Sequence, residues 1–211
     1  MLLYTLGPAM NHATYNPALA LTSYIMGKLS MWKMISCIIA QLVAGFLASA
    51  VLVFSASYIV FDKSKLLSKI GLPMIGTDFS QFEAFMVEFS GSVFLTLVYI
   101  RVRLGDDIMP QVKGIMIGGA FLINMCCFYN VSGACFNPAL IFGPSFLSRY
   151  LTDYQWIYYF GPVLGSIIGS GGFWVYDHLM QEDADRRAAQ AVQAAKEAEE
   201  GEDFCCDEHE E

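Results

Sequence analysis

The tripeptide Asn-Pro-Ala occurs twice in this 211-residue chain, at Asn16-Pro17-Ala18 and at Asn137-Pro138-Ala139. The surroundings match too: Ala13-Thr14-Tyr15 leads into the first copy, Ala134-Cys135-Phe136 into the second, and Leu19 and Leu140 follow. At ordinary residue frequencies a given tripeptide turns up in only about 3% of chains this long. Two copies in matching heptads are therefore two copies of one structural device. Asn is a good helix N-cap, and Pro is favoured at the first helical position, where its missing N–H would be unpaired anyway. Each copy predicts a helix start, one running from Asn16 to about Met26 and the other from Asn137 to about Phe146. Both are too short to cross a hydrocarbon core of ~30 Å, which takes roughly 20 helical residues.

Composition supplies the setting. The chain is 55% hydrophobic and 15% charged, with a mean hydropathy of +0.47, against about 25% charged residues in a soluble domain. The net charge of −8 is concentrated at one end: His178 onward holds 12 acids and 3 bases, and residues 1–177 hold 8 acids and 9 bases. The body is a nearly neutral apolar object, residues 1–177, and the acidity belongs to a tail, residues 178–211. Such a body has a lipid bilayer as its partner, not nucleic acid.

Four segments are long and apolar enough to span: about Met34 to Phe61, Phe82 to Ile100, Val112 to Phe128 and Trp156 to Tyr176. Trp32, Trp156, Tyr158, Tyr159, Trp174 and Tyr176 flank them, where amphipathic rings prefer the interface. The two Asn-Pro-Ala helices then begin inside the membrane, where irregular backbone survives only if buried in protein or lining a wet cavity. Twenty-five residues after Asn16 comes Gln41-Leu42-Val43-Ala44-Gly45, and twenty-five after Asn137 comes Pro162-Val163-Leu164-Gly165, so each half-helix is followed by a span in the same register. Repeats meeting at the midplane through discontinuous helices are a transporter and channel architecture. The second copy has 55 residues between Phe82 and Asn137, the first only 15 before Asn16, an inequality that leaves room for two further spans upstream. Gly161, Gly165 and Gly169, like Gly114 and Gly118, form small-residue stripes that let membrane helices approach closely. The tail has helix-forming composition but no sustained apolar face, and reads as part helical and part disordered.

No chemistry-bearing cluster competes with this reading. The six cysteines form no zinc-like spacing, and no cofactor or metal is expected. His12, His178 and His209 are scattered, and no nucleophile–base set suggests an enzyme.

Paired Asn-Pro-Ala half-helices between spans resemble the aquaporin, or major intrinsic protein, family. The likeness covers about residues 7–177, and Phe85-Met86-Val87-Glu88-Phe89-Ser90-Gly91, Ile39-Ala40-Gln41 and Gly161-Pro162-Val163-Leu164-Gly165 add to it. It implies an all-α membrane protein with an inverted repeat and two re-entrant half-helices, showing four of the family's six spans. It further implies a homotetrameric, multi-pass channel with a cytoplasmic tail, passing water or small neutral solutes of the glycerol or urea kind. The half-helix N-termini, about +0.5 elementary charge each, would disfavour cations at the centre, as in aquaporin-type pores generally. Asn16 and Asn137 would each turn an amide NH₂ toward a passing oxygen, and the backbone carbonyls of Thr14, Tyr15, Gly133, Cys135 and Phe136 would serve as acceptors.

By the same resemblance Glu88 accepts hydrogen bonds from the loop before the second half-helix. The family's selectivity filter maps to Met125, Ala134 and Leu140. Leu140 stands where an arginine is common and Met125 where a histidine or small residue is common, which predicts a soft, apolar constriction. Arg101, Arg103 and Lys113 mark a cytoplasmic loop by the positive-inside tendency, whereas Lys63, Lys65 and Lys69 fall outside by the family topology. A non-conducting structural or junctional membrane protein is the competing reading.

Overall fold

The computed structural model describes residues 14–57, 71–105, 108–148 and 152–207, with the side chains of 110, 111, 148 and 198–207 left out. Every regular element among the described residues is helical. In chain order these are α1 (Pro17–Ile25), α2 (Met31–Ser57), α3 (Gln81–Tyr99) with a π-helical turn (Ile100–Leu104), α4 (Pro110–Ser132), α5 (Pro138–Ser148) and α6 (Ile157–Asp207). Both short helices start where the Asn-Pro pairs predict. His12, His209 and the lysines at 63, 65 and 69 lie outside the described residues.

Local chemistry sets the boundaries. Asn16 caps α1 from an extended conformation (φ −148°, ψ 122°), its side chain accepting the Ala18 N–H, with Pro17 at the first position. Ser80 and Glu83 form a reciprocal capping box at the start of α3. Helix α4 ends at Gly133, whose φ of +83° is left-handed and whose N–H donates to the Tyr129 carbonyl at 2.9 Å.

Among the described residues three helices are long and apolar enough to cross a membrane: Met31–Ser55, Gln81–Leu104 and Val112–Ser132. The fourth expected span opens α6, where tyrosines, glycines and serines dilute the aliphatic content between Ile157 and Gly171.

The chain divides into two compact units, Met1–Gly171 and Gly172–Glu211, where the charge pattern divides it at 177/178. In the second unit the helix is decorated by local pairs. Trp174 stacks on His178 at 5.7 Å, and Glu182 meets both His178 (3.5 Å) and Arg186 (3.6 Å). Exposed pairs of this kind contribute little to stability.

In the first unit two glycine seams bring helices to backbone contact. A Cβ on Gly45 of α2 would run into the Ala139 carbonyl oxygen of α5, and one on Gly143 of α5 would run into the Gly45 carbonyl and the Ser49 hydroxyl. Phe46 and Phe146 close this crossing edge to face at 5.6 Å. The stripe Gly161, Gly165, Gly169 lies against Glu88, Phe89, Ser92 and Thr96 of α3. Close approach replaces the hydrophobic drive that lipid cannot supply.

Gly143→Ala should therefore force α2 and α5 apart and cost about 1–3 kcal/mol. Gly119→Ala, whose Cβ would meet nothing within 4 Å, should be neutral or slightly stabilising. Thermal unfolding of the detergent-solubilised protein compares the two.

Candidate functional site

The two half-helices meet at their N-termini through a reciprocal pair of hydrogen bonds. The Asn16 amide Nδ2 donates to the Phe136 carbonyl at 2.8 Å, and the Asn137 Nδ2 donates to the Tyr15 carbonyl at 2.9 Å. Each asparagine also caps its own helix, with Oδ1 accepting the N–H of Ala18 (2.9 Å) or Ala139 (3.0 Å). Both are buried, at 2% and 7% exposure. Each amide thus spends one N–H across the junction and keeps the other.

The carbonyls predicted to face a solute are partly engaged. Tyr15 and Phe136 accept from the opposing asparagines, and Thr14 accepts from Gln41 Nε2 at 2.6 Å, which also reaches the Thr14 hydroxyl at 2.9 Å. A carbonyl oxygen carries two lone pairs and can accept twice. Among the described residues the Gln41 Oε1 is buried without a hydrogen-bond partner.

The second loop is shaped by Glu88, which is fully buried. Its carboxylate accepts from the Ser132 hydroxyl (2.7 Å), the Cys135 N–H (2.9 Å) and the Phe136 N–H (2.6 Å). These bonds hold Ala134 (φ 53°) and Phe136 (φ 48°) in the left-handed region, which costs a non-glycine residue roughly 1–3 kcal/mol. Ser132 ties the turn from below: its hydroxyl accepts the Ala134 N–H, and its carbonyl accepts from the Tyr158 hydroxyl at 2.7 Å. The Phe136 ring is fully buried between Phe121 and Phe128, edge to face at 6.2 and 6.3 Å. It fits because residue 91 is glycine; a Cβ there would strike the ring. Asn124 completes the seam, donating to the Gly91 carbonyl at 2.8 Å.

Beside the junction a cavity of ≈ 840 Å³ gathers Met125, Gly133, Ala134, Cys135 and Leu140. All three filter positions named from the sequence therefore line one space. Its other wall is the non-helical segment from Gly71 to Thr77, tied to the end of α4 by the Gly76 N–H donating to the Val131 carbonyl at 3.0 Å. Among the described residues no group of three or more His, Cys, Asp or Glu side chains could hold a metal.

The Major intrinsic protein family profile matches residues 1–176. The chain belongs to that family. Similar proteins include the Probable aquaporin NIP-type of Nicotiana alata, 30% identical over 188 residues, covering 89% of this chain and 64% of the relative. Nodulin-26 of Glycine max is 29% identical over 187 residues, covering 87% and 62%. The chain thus spans somewhat less than two thirds of the length of these relatives. The crystal structure of the aquaglyceroporin from Plasmodium falciparum superposes with a TM-score of 0.64 at 20% identity, covering 75% of this chain and 70% of that one. The fold is aquaporin-like, and this member of the major intrinsic protein family is an integral membrane protein.

Several residues of the site carry no local signal in the sequence of this family member. Gln41, Ser132, Asn124 and Tyr158 act on backbone groups 26 to 33 residues away or across a turn. The wall segment has no periodicity to announce it.

Glu88→Gln should lower stability by about 1–3 kcal/mol, because one carboxamide cannot accept from three donors and leaves a buried N–H unpaired. Unfolding in detergent measures it; a loss under about 0.5 kcal/mol would mean that the loop does not need the carboxylate.

Proposed function

We propose that the chain is a passive transmembrane channel for water and small uncharged solutes, with the Asn16–Asn137 junction as its central constriction. The observation that carries this reading is the reciprocal donation between the two asparagines and the carbonyls of Phe136 and Tyr15. It sets two helix N-termini, each about +0.5 elementary charge, against one another. A cation or hydronium at that point meets positive potential from both sides, whereas a neutral solute can accept from the remaining amide N–H groups. The carbonyls of Thr14, Tyr15, Gly133, Cys135 and Phe136 supply acceptors along the way. No covalent chemistry is proposed.

Met125, Ala134 and Leu140 act as the selectivity filter in this reading. None carries a charge or a strong donor, so solutes with apolar surface are not disfavoured against water as they would be beside an arginine. Glu88 fixes the second loop, and so the direction of the Cys135 and Phe136 carbonyls. The solutes are of the glycerol or urea kind, the assembly is a homotetramer, and the tail from residue 178 lies on the cytoplasmic side. The name of the Nicotiana alata relative, Probable aquaporin NIP-type, supports the reading, as does the fold shared with the aquaglyceroporin.

Stopped-flow light scattering on proteoliposomes under water, glycerol and urea gradients is the direct measurement. Permeability equal to that of protein-free liposomes for every solute would favour a junctional, non-conducting protein instead. Asn137→Asp places a negative charge against the helix N-termini, and is expected to admit monovalent cations or abolish flux. Unchanged behaviour would remove the junction from the conduction path.

A further inference from the structure

We propose that Tyr129 is a specificity-determining residue that favours neutral solutes carrying two or more hydrogen-bonding groups over water. The inference rests on the channel reading above. Phe121, Met125 and Tyr129 are four residues apart on α4, so they form one stripe on a helix face, and all three line the ≈ 840 Å³ cavity beside the junction. Leu140 faces the same space from α5. Among the described residues the side chains around this cavity are uncharged, and their hydroxyl and amide groups belong to Thr77, Tyr129 and Asn130. Within that lining Tyr129 alone joins a hydroxyl to an aromatic face.

Its position is set by backbone ties. The Tyr129 carbonyl accepts the Gly133 N–H at 2.9 Å, where α4 gives way to the re-entrant loop. The wall opposite is seated just as firmly, since a Cβ on Gly133 would lie 2.9 Å from Pro73 Cβ. Tyr129 is 63% exposed, Leu140 52% and Met125 37%, so the phenol stands one turn beyond the apolar filter position with its ring accessible.

A solute approaching Met125 and Leu140 must shed water against surfaces that offer no hydrogen bond in return. A water molecule has no carbon skeleton to set against them. A polyol or diamide can keep one group on the Tyr129 hydroxyl while its carbon face lies on the thioether of Met125 and the ring of Phe121. Apolar contact and hydrogen bonding are then satisfied together, which is how amphipathic aromatic side chains act at wet apolar boundaries. Among the described lining residues an ion finds no counter-charge.

The test uses the full chain in phosphatidylcholine liposomes, with glycerol, urea and water permeabilities read by stopped-flow light scattering. Tyr129→Phe removes one oxygen and keeps the ring. It is expected to lower the glycerol-to-water and urea-to-water ratios about fivefold, the factor for one net hydrogen bond, with water permeability held within about twofold of wild type. Tyr176→Phe, which removes a phenol oxygen from an exposed tyrosine outside this lining, is expected to leave the ratios unchanged. Unchanged ratios in Tyr129→Phe, or an equal fall in Tyr176→Phe, overturn the assignment while a conducting wild type leaves the channel reading standing. A wild type no more permeable than empty liposomes overturns both.

Discussion

Everything near the centre of this protein depends on two hydrogen bonds that cross from one half-helix to the other. Asn16 and Asn137 are separated by 121 positions in sequence, yet each amide reaches the carbonyl just before the other asparagine. In lipid an unpaired peptide group costs several kcal/mol, so irregular backbone there must find partners within the protein. The junction satisfies that demand for both loops with one side chain each. The same asparagine closes the first turn of its own helix, so capping and docking are a single act.

The second loop shows what such a junction requires of its surroundings. Ala134 and Phe136 are both left-handed, a conformation with no intrinsic advantage for either residue. It persists because Glu88 gathers the N–H groups of Cys135 and Phe136, while Ser132 holds the Ala134 N–H. The Phe136 ring must then go inward, and Gly91 is the gap that admits it. Glu88 and Gly91 lie about one turn apart on α3, so a single helix face supplies both the electrostatic and the steric support. That face also carries Ser92 and Thr96 against the glycine stripe of α6, which lets the helices come close enough to bury it.

Much of this was legible before the structure. An N-cap and a proline specify where a helix begins from adjacent residues alone, and Pro17 and Pro138 are the first residues of α1 and α5. A lone carboxylate in an apolar span has few options, and Glu88 sits where the resemblance implies. Sequence also brought Met125, Ala134 and Leu140 to one cavity. The partners of the asparagine amides were not legible, because a donor's type says nothing about which distant carbonyl it will meet. Neither was the left-handed backbone, since alanine and phenylalanine give no sign of it as glycine would. Gln41 stood in plain view within an apolar helix, but its target, Thr14, is set by how α1 packs on α2. The cavity wall from residue 71 to 77 has no repeat, and it is placed by long-range contacts at Gly76 and Gly133 and by Leu72 packing on Cys135, Ile141 and Tyr158.

The two copies of the motif are equal at the asparagines and unequal in their supports. A carboxylate with three donors organises the second loop, whereas among the described residues the first is held by the neutral amide of Gln41 at Thr14. Two successive N–H groups can turn toward one side only around an anion or an equally rich acceptor, and that turn points the neighbouring carbonyls the other way. At the first loop Asn16 is extended. The junction therefore fixes the distance between the half-helices, while separate side chains fix what each loop presents. Because the side chains of Met125 and Leu140 take part in neither set of bonds, the cavity lining can change its chemistry without disturbing the centre. An uncharged lining beside an intact Asn-Pro-Ala junction is the combination this separation permits.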